Sequence, residues 1–106
     1  MDARVERAIN MFHQSVSKQL SICALSRSVN LSSARLRQLF KRDTGRSPLQ
    51  YLRDLRIQHA EELLRSTFLS VKEVAFLSGL EDVSHFVRDF KKRYGVTPSE
   101  FRIRIQ

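Results

Sequence analysis

The sequence predicts an all-α fold of seven helices, arranged as two helix-turn-helix subdomains joined by a long linker helix. Three observations carry that expectation. Apolar residues recur at three- and four-residue spacing and never alternate over the length of a strand. The corner FKRDTGRSPLQY at 40–51 returns as FKKRYGVTPSEF at 90–101. The likeness also extends beyond the corner: Leu20, Ser21, Leu25, Ser26, Asn30 and Leu31 match Leu69, Ser70, Val74, Ala75, Gly79 and Leu80 at an offset of 49. Past the turn, Leu36, Phe40 and Lys41 match Phe86, Phe90 and Lys91 at an offset of 50, so one residue has been added in the second turn.

Each element has its own local signal. Val5, Ala8, Ile9, Phe12 and Val16 form one apolar face and predict a first helix over 3–16. Ser21 suits the N-cap of a short second helix that turns Ile22, Leu25 and Val29 inward. Asn30 falls at a sharp turn, where its tolerance of left-handed backbone is useful. A third helix then runs from Ser32 to about Asp43, with Leu36, Leu39 and Phe40 on one side. In the corner, Gly45 stops this helix and Ser47, Pro48 and Gln50 start the next as N-cap, first helical residue and capping-box partner. That next helix, 47–65, carries the stripe Leu52, Leu55, His59, Ala60, Leu63 and Leu64. A second pair of helices over about 70–94 then ends at Gly95, and Thr97, Pro98 and Glu100 open the last helix. The expected organisation is a helix-turn-helix subdomain at 1–46, the linker helix at 47–66 and a second subdomain at 67–106.

Composition narrows the function. In 106 residues, 19 Lys+Arg stand against 11 Asp+Glu, a net charge of +8 that points to a polyanionic partner. The excess is concentrated: residues 35–46 carry a net +4 and residues 88–94 a net +3, both overlapping the repeated corner. Cys23 is the single cysteine, which excludes a disulfide framework and fits a reducing cytoplasm. No apolar run has the length of a membrane span, and MDARVERAIN lacks the apolar stretch of a signal peptide, so no membrane partner is expected. His13, His59 and His85 have no metal-ligand spacing among themselves or with Cys23. His59 lies on the apolar stripe, where a satisfied packing role is the simpler reading, and Cys23 is a candidate reactive thiol, although a short amphipathic helix more often buries such a residue. No nucleophile, base and acid grouping and no glycine-rich phosphate loop emerges, so the chain reads as no enzyme, with no cofactor and no metal.

A helix-turn-helix needs a small residue where the helices cross, a turn residue tolerant of positive φ and apolar side chains locking the crossing. Ser26, Asn30, Leu25 and Leu36 meet these needs in the first unit, and Ala75, Gly79, Val74 and Phe86 in the second. At about 100° per residue, the side of the third helix opposite its apolar face holds Ala34, Arg37, Gln38 and Lys41, with Ser33 at the leading edge. The matching face of the sixth helix holds Ser84, Val87, Arg88 and Lys91, with Val83 leading and His85 beside it. Such helices fit a major groove. Arg37 and Arg88 can pair bidentately with guanine and Gln38 with adenine, while Ala34, Val83 and Val87 can touch thymine methyls. Lys41, Lys91 and Lys92, further along, suit phosphates. The alternative reading of these residues is a solvated polar face.

The stretches NLSSARLRQLFKRDTGRSPLQYLRDLRIQHAEELL and SVKEVAFLSGLEDVSHFVRDFKKRYGVTPSEFR resemble the DNA-binding domain of the AraC/XylS transcription regulators over residues 3–104. The resemblance implies sequence-specific binding of double-stranded DNA, with the two recognition helices in successive major grooves on one face of the duplex. It also implies an effector-binding and dimerising domain ahead of such a module in many members, RNA polymerase as a further partner, and activator work in the cytoplasm. The chain departs from the family pattern at Asn30, Leu80, Val83, His85 and Asp89; a carboxylate at 89 facing DNA would repel phosphate, and Arg93 four residues on is a candidate partner for it. Two rivals remain at this point. Basic helix-turn-helix modules also serve DNA-processing enzymes, and the second rival is a protein-interaction or non-specific architectural role.

Overall fold

A computed structural model describes residues 1–105. Seven α-helices make up the described chain: α1 (Ala3–Gln14), α2 (Ile22–Ser28), α3 (Ser33–Thr44), α4 (Pro48–Ser66), α5 (Val71–Leu77), α6 (Val83–Tyr94) and α7 (Pro98–Ile105). They fall into two compact units, Met1–Leu55 and a second from Arg56 onward, with the division inside α4.

The first unit closes around Val5, Ala8 and Phe12 of α1, Leu25 and Val29 from α2 and its cap, Leu36, Leu39 and Phe40 of α3, and Leu52 of α4. The second closes around Ile57, Ala60 and Leu64 of α4, Val74 and Ala75 of α5, and Phe86 and Phe90 of α6. α4 therefore serves a different core with each half. This splits the single stripe expected from the sequence: Leu52 is buried in the first unit, while Ile57, absent from that stripe, is buried in the second. Leu55 and Leu63 are only half-buried. At about 100° per residue, a helix that serves two cores presents two apolar patches, and one periodic face cannot describe both.

The chain stops and starts where local chemistry directs it. Ser21, Ser32, Ser70 and Asp82 each accept a backbone N–H at the start of a helix. Gly45 and Gly95 end α3 and α6 at φ 78° and 82°, each sending its N–H back to the carbonyl four residues earlier. Ser47 and Gln50 form the expected reciprocal cap, with bonds of 3.1 and 3.2 Å. Thr97 and Glu100 bond through the Glu100 N–H and the Thr97 hydroxyl at 3.2 Å and the hydroxyl and carboxylate at 2.8 Å. The aromatic that ends each corner explains why the corner recurs. Tyr51 packs edge-on against Phe40 at 5.3 Å and 77°, and Phe101 against Phe90 at 5.4 Å and 75°. The corner thus aims the next helix so that its aromatic closes the core behind the preceding helix, a contact worth about 0.5–1.5 kcal/mol beyond its buried area.

Two local expectations are corrected. α1 ends at Gln14, with the Ser15 N–H capping the Met11 and Phe12 carbonyls, so Val16 lies past the helix in a turn and is only half-buried. Cys23 is exposed rather than buried. It is one residue out of register with the inward positions Ile22, Leu25 and Ser26, and a helix of only 7 residues has too narrow a buried face to include it.

Candidate nucleic-acid interface

The turns of the two units share one hydrogen-bonded frame. The Leu31 N–H donates to the Ser26 carbonyl at 2.9 Å, and the Leu80 N–H to the Ala75 carbonyl at 2.9 Å. Asn30 and Gly79 hold the left-handed conformation this requires, at φ 57° and 73°. Ser26 and Ala75 are buried at the crossing. Ser26 keeps its hydroxyl satisfied by donating to the Cys23 carbonyl at 2.9 Å and lying 3.3 Å from the Ser33 hydroxyl. After Leu31 the first unit goes directly to its cap, Ser32, whereas the second inserts Glu81 before Asp82. This is the residue behind the change of offset.

From these caps α3 and α6 emerge with their faces sorted. In α3, Leu36, Leu39 and Phe40 are buried while Ala34, Arg37, Gln38 and Lys41 are exposed. In α6, Phe86 and Phe90 are buried while Ser84, His85, Arg88 and Lys91 are exposed. Three of the candidate residues are less free than the helical wheel implies. Ser33 is half-buried and bonded across the crossing to Ser26, with Cys23 Sγ at 3.9 Å. Val83 is half-buried against the second core, and Val87 is half-buried as well.

Hydrogen bonds organise the exposed face further. Arg35 Nη1 donates to Gln38 Oε1 at 2.7 Å. Arg35 was not among the candidates from the sequence; its three-residue spacing from Gln38 is the signal that could have found it. Asp89 faces back toward His85, whose Nε2 lies 3.5 Å from its carboxylate. Arg93 also lies over the Tyr94 ring, 5.9 Å from its centroid. The last turns hold Lys41 and Arg42 in α3 and Lys91, Lys92 and Arg93 in α6, where positive charge complements the helix dipole. Arg42 is held by Asp43 at 3.0 Å.

Behind this face the second unit is tied together by polar contacts. His59 Nδ1 lies 3.1 Å from the fully buried Ser78 hydroxyl, the packing role expected of it. Burial lowers the Arg56 pKa, against the opposing field of Glu81 in the turn. Among the described residues no group of three His, Cys, Asp or Glu side chains is placed to hold a metal ion. No helix among them is long and apolar enough to cross a membrane.

Comparison with known proteins agrees with this architecture. A family model described as a helix-turn-helix domain matches residues 25–104. A transcriptional activator RhaR of Mannheimia succiniciproducens is 32% identical over 102 residues, covering 96% of this chain and 37% of that protein. The chain spans about a third of the length of the curated relatives it matches. The C-terminal domain of the response regulator yesN from Fusobacterium nucleatum is 34% identical with a TM-score of 0.86, over 95% of this chain and 99% of that one. A probable AraC family transcriptional regulator from Rhodopseudomonas palustris superposes with a TM-score of 0.89 at 27% identity, covering 99% of both chains. The duplicated turn, the corner that repeats with it and these matches over nearly the whole length converge: the chain belongs to the AraC-type helix-turn-helix family and is a DNA-binding domain of that family of transcription regulators.

Proposed function

We propose that this chain recognises a specific double-stranded DNA sequence by laying α3 and α6 into successive major grooves, as the DNA-reading part of a transcription regulator. The observation that carries this reading is the sorting of each recognition helix, with aromatic and aliphatic side chains sunk into a core and Arg37, Gln38, Lys41, Arg88 and Lys91 left exposed. In this reading Arg37 and Arg88 contact guanine edges, while Ala34 and Val87 lie against thymine methyls. Lys41 and Lys91, later in each helix, neutralise phosphates. Ser33, Ser84 and His85 stand near the groove-entering ends, where Ser33 and Val83 share their contacts with the protein interior.

Site selection from random duplex DNA tests the reading. The selected site should bind at least about 10³-fold more tightly than random duplex. Its affinity should fall steeply with salt as several phosphate counterions are released. Equal affinity for selected and random duplexes would replace specific recognition with an architectural role.

The wider setting is proposed on the relatives. RhaR carries the name transcriptional activator and is longer than this chain, and the yesN module is the C-terminal domain of its response regulator. We infer activator function in the cytoplasm, RNA polymerase as a partner, and an effector-binding or dimerising domain preceding the DNA-binding part. The family is one of transcription regulators, and this reading assigns the chain no catalytic step.

A further inference from the structure

The contact between Arg35 and Gln38 has a consequence for base choice, given the DNA reading above. A guanidinium carries donors only, so the amide atom 2.7 Å from Arg35 Nη1 is the Gln38 carbonyl oxygen, which leaves the Nε2 hydrogens for other partners. Gln38 stands about 40° from Ala34 on the outward face, with Arg35 about 60° further round on its flank. The amide is therefore drawn toward the flank by its oxygen. Pairing with adenine requires that same oxygen to accept from the base amino group while Nε2 donates to N7. The oxygen keeps a second lone pair, but the Arg35 cation beside it repels the partly positive hydrogens of an approaching amino group. Guanine presents two acceptors, N7 and O6, and matches an amide offered by its donor end.

We propose that Arg35 is a positioning residue for base readout: by holding the Gln38 carbonyl, it turns the amide into a donor and shifts the preference of α3 at that base pair from adenine to guanine. The two residues act as one reader, Gln38 touching the base and Arg35 setting its polarity. A residue acting only on phosphate would weaken every sequence alike.

The test uses the whole chain. Site selection with wild type and Gln38→Ala first identifies the base pair that depends on Gln38. Four duplexes differing there are then titrated with wild type, Arg35→Met, Gln38→Ala and the double variant. Methionine keeps a long, helix-compatible stem without a donor, and Arg35 is exposed, so melting followed by circular dichroism should show an unchanged fold. Wild type is expected to favour guanine over adenine by about tenfold. Arg35→Met should bring that ratio to about one or below, and should leave the ratio unaltered when Gln38 is already alanine. A wild-type preference for adenine, no base pair responding to Gln38→Ala, or an equal loss on all four duplexes with the ratio kept would each overturn the proposal. These outcomes differ from failure of the DNA reading itself, in which wild type would bind selected and random duplexes alike.

Discussion

Arg102 in α7 donates from Nε to the Leu64 carbonyl in the last turn of α4, at 3.3 Å, and from Nη1 to the Leu69 carbonyl beyond that helix. The carbonyls at a helix C-terminus have no partner within the helix, and a cation there also meets the negative end of the dipole. One side chain thus ties the last helix to the end of α4 and to the segment leading into α5. Arg102→Met should destabilise the second unit by about 1.5–3 kcal/mol, the range for hydrogen bonds to a charged group. Urea unfolding followed by circular dichroism would measure it, and a loss below about 0.5 kcal/mol would reduce the contact to decoration of the surface.

The two corners should respond alike to one substitution. A Cβ added at Gly45 or Gly95 meets no heavy atom within 4 Å, and both residues have positive φ. The cost of Gly45→Ala or Gly95→Ala is therefore conformational alone, about 1–2 kcal/mol in each case. Thermal melts of the two single variants should shift by similar amounts; a much larger loss at one corner would point to crowding there.

Arg37 and Lys41 are both exposed on α3 but should fail differently. Arg37→Ala should weaken the selected site by about 1–3 kcal/mol and relax preference at one base pair. Lys41→Ala should weaken selected and random duplexes equally and reduce the salt slope by about one. Fluorescence titrations at several salt concentrations separate these outcomes.

The N-terminal cap gives an acid-side signature. The Arg4 guanidinium, aided by the Arg4 backbone N–H, lowers the Asp2 pKa from 3.8 to about 2. The Asp2 backbone N–H and then Arg42 lower that of Asp43, and Thr97 lowers that of Glu100. A carboxylate depressed on folding stabilises the native state above its unfolded pKa, and that contribution fades as pH falls through the folded value. For Asp2 the window is therefore from about pH 4 down to about 2. Carboxyl NMR titration should find Asp2 near the bottom of that window, and Arg4→Ala should move it upward; an Asp2 titrating near 3.8 in the wild type would remove this effect.

The fold was legible where the sequence states its instructions locally. Ser21, Asn30, Gly45, Ser47, Gly95 and Thr97 act within a few residues of themselves, and their signals survive folding unchanged. Ile57 was not legible, because its burial depends on which half of α4 serves which core, a tertiary fact that periodicity averages away. Cys23 was misjudged for a related reason: being apolar in type does not fix the direction of a side chain on a short helix. On the candidate face, helical spacing located Arg37, Gln38, Lys41, Arg88 and Lys91 as exposed. It could not anticipate that Ser33 would bond across the crossing, that Val83 would lean on the core, or that Arg35 would take hold of the Gln38 amide. Each is a contact between side chains, and spacing reports directions rather than contacts.

α3 and α6 each contain 12 residues between a side-chain cap and a left-handed glycine, with inward positions filled by Leu36, Leu39 and Phe40 in one and Phe86 and Phe90 in the other. Inheritance can therefore rewrite most outward letters of either helix without disturbing the grammar that folds it. The two helices can therefore differ in what they read, and an engineer can graft a new vocabulary onto one while the other keeps its own.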